Sequence, residues 1–85
     1  DYAQSQFLKG FFTLDKDPAA AFNIFEKTGN TMKSAISRAR FAYWAGRALE
    51  AQDNEKARAW FVKASRLPST YYGQLAAQKL GVPLA

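Results

Sequence analysis

The 85-residue sequence contains neither cysteine nor histidine. Without cysteine the chain has no disulfide framework and no thiolate metal site. Without histidine it lacks the commonest general base, metal ligand and pH switch. No apolar run approaches the roughly 20 residues that a membrane-spanning helix needs. These absences narrow the functional classes to scaffolding, binding and, at most, carboxylate chemistry.

Carboxylate catalysis is also poorly supported by the sequence. The chain has seven acidic residues, and two of them, Asp17 and Asp53, stand where helix N-caps are expected. No pair of acids is set in apolar surroundings that would raise a pKa. Serines are present, but no histidine can activate one as a nucleophile. The sequence therefore predicts no catalytic residue, no metal site and no cofactor.

Positive charge is concentrated in the second half of the chain. Residues 1–36 hold four lysines against four acids, whereas residues 37–85 hold five arginines and three lysines against three acids, which gives the net charge of +5. A basic half of this kind suits an anionic partner, either a nucleic acid, a cell-wall polymer or an acidic protein face. The alternative is a solvated helix surface that keeps the chain soluble.

Capping residues and apolar spacing predict an all-α fold of about five helices. A first hairpin is expected over about 2–29, a second over about 34–67, and a final helix over about 69–81, followed by a tail at 82–85. The predicted caps are Asp17 before Pro18, Asp53 or Asn54, Ser69 or Thr70, and Gly81 at the C-terminal end. The third helix is predicted to reach about residue 52. The fourth should stop before Pro68, because the residue preceding proline is disfavoured in helical space.

Two predicted helices of the second hairpin carry matching apolar faces. The third helix has Ala39, Ala42, Tyr43, Gly46 and Leu49 on one face, and the fourth has Ala57, Trp60, Phe61, Ala64 and Leu67. Their steps of three and four place each set on a single side of a helix. A glycine inside a helix costs roughly 1 kcal/mol against alanine, so Gly46 indicates a close approach by a partner helix.

The sequence repeats itself after 36 residues. Residues 7–28 align without a gap on 43–64, and five of the 22 positions are identical: Gly10 with Gly46, Asp17 with Asp53, Ala21 with Ala57, Phe25 with Phe61, and Lys27 with Lys63. The matches fall on the small residue of the first helix, on the cap and on Ala-x3-Phe of the second helix. This is close to the 34-residue tetratricopeptide pattern. It predicts two helical hairpins and the first helix of a third, stacked as a right-handed solenoid.

One set of aromatic and basic residues is a candidate binding site. Arg40, Trp44 and Arg47 share a helix face, and Tyr71 begins the last helix. Such a set can stack on sugar rings or hold a carboxylate or phosphate. The alternative is that Trp44 packs against the neighbouring hairpin and the arginines lie over its edge.

Three strings in this sequence resemble one protein family: Ser37-Arg38-Ala39-Arg40-x2-Tyr43-Trp44-Ala45-Gly46-Arg47-Ala48, Ala57-Arg58-Ala59-Trp60-Phe61-x2-Ala64, and Pro68-Ser69-Thr70-Tyr71-Tyr72-Gly73-Gln74-Leu75-Ala76. They are similar to the α-superhelix that precedes the catalytic domain of soluble lytic murein transglycosylases. The earlier strings Phe7-Leu8-x-Gly10 and Asp17-Pro18-Ala19-Ala20-Ala21-x3-Phe25 resemble the preceding hairpin of that region.

The resemblance implies a non-catalytic role. Enzymes of that family cleave peptidoglycan glycan strands with a glutamate that is followed by serine, and the three glutamates here, Glu26, Glu50 and Glu55, precede Lys27, Ala51 and Lys56. The family implies a periplasmic scaffold in a Gram-negative bacterium that positions the catalytic domain of the same parent chain. Contact with glycan strands through Arg40, Trp44, Arg47 and Tyr71 is a further expectation.

The same sequence features bear on two other classes of partner, proteins and nucleic acids. A tetratricopeptide-like module that binds a protein or peptide is the main alternative, and nucleic-acid binding is not expected because no recognition motif accompanies the basic residues. The sequence begins without methionine, so we expect a piece of a longer chain. The ends of such a piece would expose faces through which two copies can associate.

Overall fold

The computed structural model describes residues 1–67 and 69–81, and within these ranges it contains five α-helices and no strand. The helices are α1 (Tyr2–Thr13), α2 (Pro18–Gly29), α3 (Ala35–Leu49), α4 (Asn54–Ser65) and α5 (Tyr71–Leu80). The prediction of an all-α chain with about five helices is confirmed. The predicted stop at Pro68 and the predicted tail at 82–85 lie outside the described residues.

The helix ends are set by local hydrogen bonds at the predicted capping residues. The side chains of Asp17 and Asp53 each accept a hydrogen bond from the backbone N–H three residues later, both at 3.1 Å. Thr70 does the same for α5 at 2.9 Å. Gly81 ends α5 in the left-handed conformation with φ of 73°, where a side chain would be strained. Asp17 and Gly81 are confirmed as caps, and of the two residues predicted as alternatives at each of the other ends, Asp53 caps α4 and Thr70 caps α5.

α3 ends at Leu49, about three residues earlier than predicted. Beyond Leu49 the backbone N–H of Glu50 bonds to the carbonyl of Arg47, only three residues back, and the Asp53 N–H donates to Leu49 at 2.8 Å. Asp53 itself is extended, with φ of −152°, because it caps α4. Residues 50–52 form the turn that brings Asp53 into this capping position, so they are not available to extend α3.

α3 lies at the centre of the fold and packs against α2, α4 and α5. Of its 15 residues, seven are buried: Ala39, Phe41, Tyr43, Ala45, Gly46, Ala48 and Leu49. The predicted face of α3 is therefore only part of what it buries, since Phe41, Ala45 and Ala48 lie against the first hairpin. Small residues on several sides of α3 let three helices approach it together.

Two apolar clusters fill the space on either side of α3. The first cluster contains Ala21, Phe25, Phe41, Ala45 and Ala48, and the second contains Tyr43, Leu49, Ala57, Phe61, Ala64 and Ala76. Trp44 and Trp60 pack against both clusters. The two hairpins and α5 are thus joined through α3.

The residues matched by the 36-residue shift make equivalent contacts. A Cβ atom added at Gly10 would lie 2.6 Å from the Phe25 ring, and one added at Gly46 would lie 2.7 Å from the Phe61 ring. The turns before the two capping aspartates are also equivalent. The backbone N–H groups of Asp17 and Asp53 each donate to the carbonyl four residues earlier, at 2.8 Å in both hairpins. The internal repeat in the sequence corresponds to a repeat in the helix packing.

Candidate functional site

The four predicted site residues lie on two helices, α3 and α5. Arg40, Trp44 and Arg47 are partly buried on α3, and Tyr71 is the first residue of α5, 68% exposed. A row of rings connects them. The centroid of Trp44 lies 5.4 Å from that of Tyr43, Tyr43 lies 5.5 Å from Tyr72, and Tyr72 lies 5.1 Å from Tyr71. The set is therefore one row that crosses α3 and α5 rather than a closed pocket.

Trp44 is held by rings from the neighbouring hairpin. Phe7 and Phe11 of α1 meet it edge to face at centroid distances of 6.2 and 5.3 Å, and Tyr43 meets it at 90°. Such pairs contribute about 0.5–1.5 kcal/mol each beyond their buried area. The indole Nε1 is buried without a hydrogen-bond partner in the described part of the chain. These contacts give Trp44 a packing role between α1 and α3.

Arg40 lies over the same aromatic group. Its guanidinium carbon is 4.1 Å from the centre of the Phe7 ring, and its Nη2 donates to Gln4 Oε1 at 3.4 Å. Its Nε is buried and has no hydrogen-bond partner within residues 1–67 and 69–81. Arg40 thus ties α3 to α1, and one of its donors is not satisfied by the described residues.

Arg47 is engaged by two neighbours on its own helix. Its Nη1 donates to the Tyr43 hydroxyl at 3.2 Å, and its Nε lies 2.8 Å from Glu50 Oε1. The hydrogen bond with Tyr43, reinforced by the charge interactions with Tyr43 and Glu50, raises the pKa of Arg47 against the opposing effect of its partial burial. The Arg47 side chain therefore stays cationic at every physiological pH. An anionic ligand at Arg47 would lie next to the Glu50 carboxylate, which already pairs with it.

Glu50 and Lys79, which were not predicted as site residues, extend the contacts of Arg47. Glu50 accepts a hydrogen bond from Lys79 Nζ at 2.8 Å through its second oxygen, so one carboxylate bridges α3 and α5. The three-residue spacing of Arg47 and Glu50 is a signal that the sequence offers. Lys79 is 29 residues away from Glu50, and no local pattern connects the two.

The row of rings is exposed at its two ends. Tyr71 and Phe11, which is 43% exposed, present aromatic surface at either end of the row, while Trp44 is occupied by packing. Among the described residues, no group of three His, Cys, Asp or Glu side chains is placed to hold a metal ion. None of the helices in the described ranges is both long and apolar enough to cross a bilayer.

The chain matches no protein-family model, no curated protein and no solved structure.

Proposed function

We propose that this chain is a non-catalytic scaffold segment of the kind that precedes the catalytic domain in soluble lytic murein transglycosylases, with tetratricopeptide-like hairpins stacked as a right-handed solenoid. The observation that best supports the repeat architecture in this proposal is the repeated contact of glycine with phenylalanine, Gly10 with Phe25 and Gly46 with Phe61. A packing unit that recurs along a chain is the basis of solenoid architecture.

The position of α5 supports the same arrangement. α3 packs against the second helix of the hairpin before it, α2, and its side chains also contact the first helix, α1. α5 packs against α4 and α3. The proposal expects these neighbours for the first helix of a third hairpin.

In this proposal the segment holds the catalytic domain of its parent chain in the periplasm and contacts peptidoglycan glycan strands. Tyr71 supplies an exposed ring for a sugar, and Arg40 and Arg47 supply cations for the carboxylates of muramic acid or of stem peptides. Trp44 supports the surface by fixing α3 against α1.

Binding of purified sacculi by the 85-residue chain tests the glycan contact. We expect the double substitution Tyr71→Ala with Arg40→Gln to reduce retention on sacculi. The control is Tyr2→Ala with Arg58→Gln, which removes a similarly exposed tyrosine and a more exposed arginine elsewhere. Because Arg40 also packs on Phe7, thermal unfolding of both variants checks that each is folded under the binding conditions. Trp44 is left intact because removing a packed tryptophan costs about 3–5 kcal/mol. Equal retention of the two folded variants would remove the proposed glycan site.

The coding sequence beyond residue 85 tests the scaffold role separately. The proposal predicts a globular domain downstream that contains a Glu-Ser pair. Further hairpins with no such domain would contradict it.

A tetratricopeptide-like module that binds a protein partner is the second candidate. One observation favours it: Arg38, Lys63 and Arg66 line a single groove, together with Trp60. This candidate predicts saturable binding to a protein or peptide and no retention on peptidoglycan.

A further inference from the structure

A groove of about 260 Å³ lies where the end of α2, the first half of α3 and the end of α4 meet. We call it the basic groove. Its lining residues are Glu26, Gly29, Asn30, Arg38, Ala42, Trp60, Lys63, Arg66 and Leu67. The close packing of α2 on α3 shapes it, since a Cβ atom at Gly29 would lie 2.9 Å from the Cβ of Phe41.

The charges around the basic groove are unbalanced. Arg38, Lys63 and Arg66 line it, and Glu26 is the one acid among its described lining residues. Within residues 1–67 and 69–81, the ion pairs join Glu50 to Arg47 and to Lys79, and no groove cation takes part in one. The groove therefore has an excess of positive charge that an anionic partner would neutralise.

The floor of the groove is apolar, but it offers little for stacking. Ala42 and Leu67 line it together with the indole of Trp60. Lys63 Nζ sits 4.2 Å from the centre of the Trp60 ring, and Phe22 meets that ring edge to face at 5.5 Å. A nucleic-acid base or a sugar ring needs an open aromatic face, and Lys63 covers one here.

The volume of the groove indicates the size of what it holds. Sites for complete small molecules usually measure about 300–1,000 Å³, and this groove is smaller. A partner longer than the groove would place only part of itself there, such as one apolar side chain.

We propose that the basic groove binds an acidic peptide segment of a protein partner. An apolar side chain of that segment enters against Ala42 and Leu67, and flanking carboxylates pair with Arg38, Lys63 and Arg66. The proposal rests on the second candidate function and names the class of partner that this candidate would bind. It does not depend on the scaffold role, because it concerns a different surface from Arg40, Trp44, Arg47 and Tyr71.

Fluorescence anisotropy with the whole 85-residue chain tests the proposal. The probe is a labelled peptide in which leucine is flanked by glutamates, and a peptide with glutamine in place of glutamate is its control. We compare the triple variant Arg38→Gln, Lys63→Gln, Arg66→Gln with a charge-matched variant at three exposed lysines outside the groove, Lys9→Gln, Lys16→Gln, Lys33→Gln. Three surface ion pairs together change affinity by roughly 3- to 150-fold. We expect a loss in that range for the groove variant and a smaller loss for the control.

A nuclear magnetic resonance titration with the same peptide locates the site. The backbone amides of Gly29, Ala42 and Leu67 are expected to shift most. Largest shifts near Tyr71, equal weakening by the two triple variants, or equal binding of the glutamine peptide would each overturn the proposal. A single-stranded oligonucleotide provides one more test. If it binds as tightly as the peptide and loses affinity equally in both variants, the proposal is overturned, because that result indicates general attraction to a polyanion.

Discussion

Replacing Gly46 with alanine tests how closely α3 and α4 approach each other. The new Cβ would lie 2.7, 2.9 and 3.0 Å from three atoms of the Phe61 ring. Phe61 is 4% exposed and belongs to the core cluster on that side of α3, so its ring has little room to move. Overpacking of this kind costs about 1–3 kcal/mol.

Helix propensity acts in the opposite direction. Alanine is favoured over glycine inside a helix by about 1 kcal/mol. The net expectation for Gly46→Ala is therefore a loss of about 1 kcal/mol in the free energy of unfolding, which lowers Tm by about 4–8 °C in a domain of this size. Urea and thermal unfolding, followed by circular dichroism at the helical band, measure both quantities.

Two further variants separate the steric cost from the propensity gain. Ala59 is exposed on α4, so Ala59→Gly measures the propensity difference in this protein without a change in core packing. Phe61→Leu removes the ring that the new Cβ would meet, and we expect Gly46→Ala to cost less in that background. A gain of about 1 kcal/mol for Gly46→Ala alone would refute the reasoning, because it would show propensity without a clash.

Three other predictions concern the caps and the bridge between α3 and α5. Asp17→Ala and Asp53→Ala should each lower the free energy of unfolding by about 1 kcal/mol in urea titrations, because the two caps are equivalent; a cost at only one site would contradict that equivalence. Glu50→Gln weakens the ion pairs with Arg47 and Lys79, which are partly exposed. We expect a loss of up to about 1 kcal/mol that shrinks in high salt, and a loss independent of salt would rule out an electrostatic origin. The raised pKa of Arg47 means that its stabilising contribution is present below the ordinary pKa of arginine and is lost only as pH rises through the higher folded value. The difference in Tm between the wild type and Arg47→Gln should therefore stay constant from about pH 6 to pH 9, and a difference that falls across this range would show that another group titrates.

The candidate site could be placed from the sequence only in part. The spacing of Arg40, Trp44 and Arg47 correctly puts them on one side of α3, since their contacts with α1 and with one another lie along that side. The sequence left open whether Trp44 is available to a ligand. That depends on Phe7 and Phe11, which are more than 30 residues away in the chain and reach Trp44 only because α1 packs beside α3.

The five helices, most of their ends and the internal repeat could be predicted from local sequence patterns alone. Asp17, Asp53, Thr70 and Gly81 act through hydrogen bonds that span three or four residues, so the information for each helix end lies next to that end. The short turn in each hairpin leaves two consecutive helices few ways to meet. The repeated glycine then marks the point where the phenylalanine ring of the second helix packs against the first.

The contacts between the hairpins and α5 could not be predicted from the sequence. It made α3 the central helix, joined Glu50 to Lys79, and brought Arg38, Lys63 and Arg66 to one groove. The physical reason is that such contacts depend on the angle and distance between helices that are remote in the chain. Those quantities are set by the summed packing of many side chains, and no local stretch of sequence encodes them.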